Sequence, residues 1–359
     1  MMWPDTTFVS DLISTPGDSD SQACKKSNVR ARPFFCDLLY HQLWQKARDI
    51  YGWAVEYNQS ETGAISKWEK GSADTLKRLI QNAESDGIWE KVIDSLKMGD
   101  QLLFNVFMPR VKYDLLTNHP VHVAILSMKL GMAIDGYPEK ELKRLGLAAL
   151  VHDLGMVGIL LSIKDKDEDL SQDEIKAIER HPSIGRNYLS HLGKDYEWLA
   201  RVCYQEHERE NGQGYPEGLS KDQIHVMARI IGLMDTIDAM IHPRPWKNPL
   251  PPPEVIQTLL TTQKDFFAPH LVKSLIREVS PFPPGSFIRL NSKEIGQVIR
   301  VNKKHPLRPD IIIYYDSSGM PMKDPKIIQL QSHPILHISG AVDMDEIPSR
   351  ALDIIGNWQ

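Results

Sequence analysis

The chain is short of cysteine. Its three cysteines, Cys24, Cys36 and Cys203, lie far apart among 359 residues and form no CxxC pair. That argues against a disulfide framework and a zinc ribbon, and fits a reducing compartment. A surplus of one charge is lacking too. The 42 Lys and Arg against 47 Asp and Glu leave a net charge of -5. This gives no global pull toward a nucleic-acid polymer or an anionic membrane, while a local basic patch can still take a phosphate ligand. The first residues, MMWPDTTFVSDLIST, have no basic start followed by a long apolar run, so no signal peptide is expected. No segment reads as long and apolar enough to span a bilayer. The expected location is the cytoplasm, away from the membrane.

What is present reads as a soluble globular chain of two or three domains, with 42% hydrophobic and 25% charged residues. Residues 1–29 are polar and rich in Ser, Asp and Gly, and read as a disordered leader. From about Phe34 to Phe107 the apolar spacing is helical, as in Leu38, Leu39, Leu43, Trp44 and Ala47, and Gly63, Gly71 and Gly87 fall between expected helices. Residues 30–110 therefore form a helical N-terminal module of no visible chemistry. Residues 111–280 are helical again. VHVAILSMKLGMAI (121–134) and ARIIGLMDTIDAMI (228–241) read as buried helices, and LKRLGLAALVHDLG (142–155) as a third, stopped by Gly155. After Pro281 the pattern changes to period-two alternation, so residues 281–359 are expected to hold a small antiparallel β module and a tail. The fold class is mainly α.

The chemistry concentrates in the central helices. His119 precedes the first buried helix, His152 and Asp153 end the second, His181 opens an HPxxG stretch, Glu206 and His207 are adjacent, and Asp235 lies inside the most apolar helix. Spread over five helical segments, these residues can line a metal site in a bundle core. Imidazole nitrogen and carboxylate oxygen together suit iron, manganese or another divalent ion of intermediate hardness. Two such ions about 3.5–4 Å apart can activate a water and stabilise an attacked phosphate. A carboxylate in so apolar a helix as that of Asp235 is costly unless it is paired or bound to metal. His122, His225 and His242 are assigned to surface, core or supporting positions.

Several stretches in order, NHPVHV, VHDLGMVGI, RHPSIG, QEHERENGQGYPEGL, ARIIGLMDTIDAM and RPWK, resemble the HD-GYP family, the branch of HD-domain phosphohydrolases that cleaves cyclic di-GMP. The resemblance covers about Asn118 to Val272, and the β module resembles an extension seen on some members. It implies an HD-type helical bundle with two divalent ions, Fe or Mn, held by His119, His152, Asp153, His181, Glu206, His207 and Asp235. His152 and Asp153 would be the catalytic pair, with Asp153 bridging. Arg244 and Lys247 match residues that hold the dinucleotide phosphates. The loop Gly214, Tyr215, Pro216 would contact partner proteins such as diguanylate cyclase domains, and a homodimer is compatible with the pattern.

Four positions depart from the family pattern. Glu206 stands where the family has a histidine, but carboxylate remains a competent ligand for iron or manganese. Met156 replaces the Lys of HDxGK, and losing one such electrostatic contact costs about 10²–10³ in rate. Leu115 stands where members with a third metal have Glu, which implies two metals and a product that stays at linear pGpG. Asn211 replaces Asp and keeps its hydrogen-bonding shape. The alternative function is a catalytically weak or inactive receptor or scaffold that binds a cyclic dinucleotide and signals through partner proteins.

Overall fold

A computed structural model describes residues 32–60, 70–107, 113–134, 136–163, 168–244 and 246–342. The leader expected at 1–29 lies outside the described residues, as do Gly63 and the tail from 343. Thirteen helices appear among the described residues. The first four are α1 (Arg32–Ser60), α2 (Lys70–Ser85), α3 (Ile88–Met98) and α4 (Gln101–Phe107). Then come α5 (Asn118–Met132), α6 (Glu139–Val151), α7 (Val157–Ile163), α8 (Gln172–Ile178), α9 (His181–Ser190) and α10 (Glu197–Gln205). The last are α11 (Val226–Ile241), α12 (Pro252–Leu260) and α13 (Pro269–Glu278).

Helix α1 is long, and its apolar residues keep one face from Leu39 to Ala54. Leu39, Leu43, Ala47, Ile50, Tyr51 and Ala54 recur at three-and-four spacing, and all are buried. That stripe packs on α5, α6 and α7. One hydrophobic cluster takes buried residues from Leu39 to Val279, with helices before and after residue 110 contributing to it. Helices α5 and α11 are buried along most of their length, as expected from their apolar composition.

Three local readings are corrected. Helix α5 begins at Asn118, so His119 lies within its first turn rather than ahead of it. Helix α6 stops at Val151, before Gly155, and a 3-10 turn takes Leu154–Met156. Gly71 falls inside the first turn of α2. A fourth correction concerns membranes: the stretch Glu139–Ile163 is long and apolar enough to cross one by length and composition. Of its apolar window, 72% is buried inside the fold, and its apolarity belongs to α6 and α7 packed in the bundle.

The β module is a five-stranded antiparallel sheet of β1 (Phe287–Leu290), β2 (Ile295–Arg300), β3 (Asp310–Tyr315), β4 (Pro321–Gln329) and β5 (Ile338–Ala341), in spatial order β4-β3-β2-β1-β5. It is pinned to the bundle by Asp100, whose carboxylate accepts Lys129 Nζ of α5 at 3.1 Å and the Val301 N–H at 3.2 Å. Lys303 pairs with Glu278 at the end of α13.

Candidate metal centre

Helix ends converge on one point of the bundle. His119 sits in the first turn of α5, His152 and Asp153 follow α6, His181 opens α9, and Glu206 and His207 follow α10. Asp235 reaches the same point from the middle of α11. Two glycines allow the approach. A Cβ on Gly155 would lie 2.0 Å from the His181 carbonyl oxygen, and one on Gly232 would lie 2.1 Å from that of Glu206. With glycine at both positions, the turn after α6 presses on α9, and α11 presses on the end of α10.

All seven residues expected as ligands come together. The donor atoms of six of them form two groups, Asp153 with His181, Glu206 and His207, and Asp153 with His119 and His152, the atoms of each lying within 4.8 Å of one another. Asp153 belongs to both. Its Oδ1 is 3.2 Å from His181 Nε2 and its Oδ2 is 3.4 Å from His119 Nε2. Asp235 also faces both sides, with Oδ1 3.1 Å from His119 Nε2 and Oδ2 3.9 Å from His207 Nδ1. Glu206 Oε1 is 3.3 Å from His181 Nε2.

The ring orientations fit a metal ion. His152 Nδ1 lies 2.7 Å from the Ala149 carbonyl, and His181 Nδ1 lies 2.7 Å from that of Ile178. A carbonyl only accepts, so each Nδ1 carries the proton and each Nε2 offers a lone pair to the centre. His119 Nδ1 donates in the same way to Asp238 at 2.6 Å. His119 Nε2, His152 Nε2 and Glu206 Oε2 are buried with no hydrogen-bond partner. Such atoms are costly unless a ligand takes them. The donor set of imidazoles and carboxylates matches a divalent ion of intermediate hardness.

The carboxylates divide electrostatically. Burial works to raise Asp153 and Asp235, but the neighbouring imidazoles outweigh it and hold both below the usual carboxylate range. Burial pushes Glu206 well above that range, and Asp153 and Asp235 add repulsion. Burial pushes His207 down, helped by His181.

Asp238 was missed in the sequence, although it sits three residues after Asp235 in the same apolar helix. It is fully buried. Besides His119, its carboxylate accepts His122 Nδ1 at 3.0 Å and the Tyr113 hydroxyl at 2.5 Å, and His242 Nδ1 lies 2.8 Å away. The apolar-helix argument made for Asp235 would have found it. His122 and His242 are thus buried partners of Asp238.

The Gly214-Tyr215-Pro216 loop folds back onto the site. The Tyr215 ring stacks on His207 at 4.7 Å between centroids and 13° between planes. Glu208 ties the loop down by accepting the N–H groups of Glu217 and Leu219 at 2.7 and 2.8 Å. Asn211 Oδ1 accepts the Gln213 N–H at 3.0 Å, the bond shape an Asp there would also make. Arg244 and Lys247 lie outside the ligand cluster, joined by a backbone bridge in the segment after α11. Met156 is buried with Leu160 and Ile163, and Leu115 and Trp246 pack against that cluster.

Residues 72–271, more than half of the chain, match the family model of an HD domain, and residues 287–350 match that of a KOW domain associated with the HD domain. A cyclic di-GMP phosphodiesterase of Pseudomonas aeruginosa is 26% identical over 242 residues, 67% of this chain and 58% of that protein. The cyclic di-GMP phosphodiesterase response regulator RpfG of Xanthomonas campestris pv. campestris is 32% identical over 241 residues, 66% of this chain and 56% of that protein. A 3'3'-cGAMP-specific phosphodiesterase of Vibrio cholerae is 36% identical over 104 residues, 29% of this chain and 22% of that protein. The chain spans little more than half the length of the first two relatives. With the family model running across α5 to α11, where every expected ligand sits, the chain belongs to the HD-domain family.

Proposed function

We propose that the protein is a metal-dependent phosphodiesterase that opens cyclic di-GMP, or a related cyclic dinucleotide, to a linear dinucleotide. One observation carries this reading. Three buried donor atoms, His119 Nε2, His152 Nε2 and Glu206 Oε2, lack hydrogen-bond partners beside an Asp153 common to two ligand groups. His119, His152, Asp153, His181, Glu206, His207 and Asp235 would hold two divalent ions, iron or manganese. Bound there, the ions supply Lewis acidity for the water and charge compensation for the phosphate.

The chain's own groups do the rest. Asp238 and the Ala149 and Ile178 carbonyls keep the lone pairs of three imidazoles turned inward. Tyr215 covers His207 and keeps bulk water from that side. Arg244 and Lys247 carry the positive charge that would hold the phosphates, the first as a fork and the second as a point charge. Water adds to one phosphorus, one P–O bond breaks, and a proton goes to the leaving sugar oxygen. Leu115 supplies no carboxylate for a third ion, which supports a linear product rather than two mononucleotides. A cytoplasmic location suits such a substrate, and the outer edge of the Gly214–Pro216 loop is left as the face for protein partners.

A second reading is a receptor that binds the dinucleotide without turnover. Met156, buried among apolar side chains, favours it, because no cation stands there to meet the phosphate. Anaerobic purification, metal analysis and incubation with cyclic di-GMP separate the two. About two metals per chain, with linear product lost in Asp153→Ala, is expected. Bound metal and bound nucleotide without product would establish the receptor.

A further inference from the structure

We propose that Tyr40 of α1, which lies ahead of the residues matching the family model, is a positioning residue for the metal centre and acts on His119 through His122 and Asp238. This rests on the metal-centre reading above.

The chain of contacts is directional. Asn118 Nδ2 donates to the Tyr40 oxygen at 3.2 Å. The Tyr40 hydroxyl lies 2.7 Å from His122 Nε2. His122 Nδ1 lies 3.0 Å from Asp238 Oδ1, and His119 Nδ1 lies 2.6 Å from Asp238 Oδ2. A carboxylate accepts, so His122 carries its proton on Nδ1 and its Nε2 must accept. The tyrosine hydroxyl is the donor that Nε2 receives. Every member is buried, so no bulk water stands ready to replace a lost donor.

Removing the Tyr40 hydroxyl frees His122 to move its proton to Nε2. Nδ1 would then turn a lone pair toward Asp238 Oδ1, which repels it. Asp238 would shift, and its hold on the His119 ring would loosen. The same face of α1 carries Tyr51, which is also fully buried. Helix α1 thus reaches the support of the centre through Tyr40.

The test measures Mn2+ affinity of the full chain by titration, with the electron paramagnetic resonance signal of bound Mn2+ as a second readout. Partners that hold a ligand directly change metal affinity by about 10–100-fold, so Asp238→Asn is expected in that range and Tyr40→Phe, two links further out, at roughly 3–10-fold. If Tyr40 acts through Asp238, Tyr40→Phe adds little in the Asp238→Asn background. Leu39→Ala, a buried α1 change outside the network, should lower the melting temperature and leave affinity and spectrum unchanged. His122→Gln is the second variant, expected to match Tyr40→Phe. Wild-type affinity in Tyr40→Phe overturns the proposal, even where His122→Gln binds more weakly, as does an undiminished Tyr40→Phe effect in Asp238→Asn. No Mn2+ binding by the wild-type chain would instead overturn the metal reading, and this proposal with it.

Discussion

Replacing Glu206 by Gln should move two quantities in opposite directions. The side chain is fully buried and its Oε2 has no partner. Burial pushes its carboxyl well above the usual range. Without a metal, a buried unsatisfied group costs about 1–3 kcal/mol, and Gln keeps the shape without the charge. The metal-free variant should therefore equal or exceed the wild type in stability. The sign with pH follows from linkage. The folded pKa lies above the unfolded value of about 4.3, so above that pH the native state holds a proton the unfolded chain has lost. The Glu206 contribution to stability then falls as pH rises toward the folded pKa. The advantage of Gln should open above about pH 4.3 and widen upward. With metal the order reverses. Breaking a buried charge pair costs about 3–5 kcal/mol, or about two to three and a half decades in affinity. Mn2+ at a hundred times its dissociation constant stabilises a binding protein by about 2.7 kcal/mol, and the variant should lose most of that. Thermal melts at several pH values, with chelator and with Mn2+, read both effects. A variant that melts lower without metal and responds to Mn2+ like the wild type would make Glu206 a structural acid and refute the reasoning.

Gly155→Ala places a methyl group 2.0 Å from the His181 carbonyl oxygen, so α9 must retreat; a lower melting temperature together with weaker Mn2+ binding is expected, and retention of both would show that the close approach is not needed. Arg244→Ala and Lys247→Ala should each weaken cyclic di-GMP binding by about tenfold, the value of one charged hydrogen bond of roughly 1.5 kcal/mol, while metal content stays constant. Unchanged nucleotide affinity in both variants would remove these residues from the binding site.

The helical identity of the bundle was legible because its apolar residues repeat at helical spacing, and the β module because alternation replaces that spacing after Pro281. The candidate ligands could be picked out because adjacent acid and imidazole at 152–153 and 206–207 are uncommon in apolar surroundings. Helix ends were less legible. Apolar character runs from Leu142 through Leu154, and only hydrogen bonding shows that the helix stops at Val151. Asp238 escaped because one carboxylate in α11 already had a role, and spacing alone does not say which of two faces the imidazoles. Tyr40 was beyond reach, since 82 residues separate it from His122 and no local pattern links them. The Gly214–Pro216 loop was legible as a motif, but its stacking on His207 was not.

Met156 and Leu115 read in the sequence as two separate losses, a cation in one place and an acid in another. The structure puts both at one apolar cluster, where Met156 is buried with Leu160 and Ile163 and Leu115 and Trp246 pack against them. A lysine and a glutamate bordering the same pocket would be each other's counter-ions, so exchanging both for apolar side chains leaves the local charge balanced. Reversing one alone does not. Met156→Lys would bury an unpaired ammonium at a cost of about 3 kcal/mol, reduced to the extent that the long side chain can bend its head toward water. The single variant is expected to melt lower and to hydrolyse cyclic di-GMP no faster than the wild type. Adding Leu115→Glu should return about 1 kcal/mol through the restored pair, and turnover should rise only in the double variant. Measuring the melting temperature and the product rate for both singles and the double gives the coupling directly. Strict additivity would mean that the two positions changed independently and that the apolar cluster is not a single replacement for a charged one.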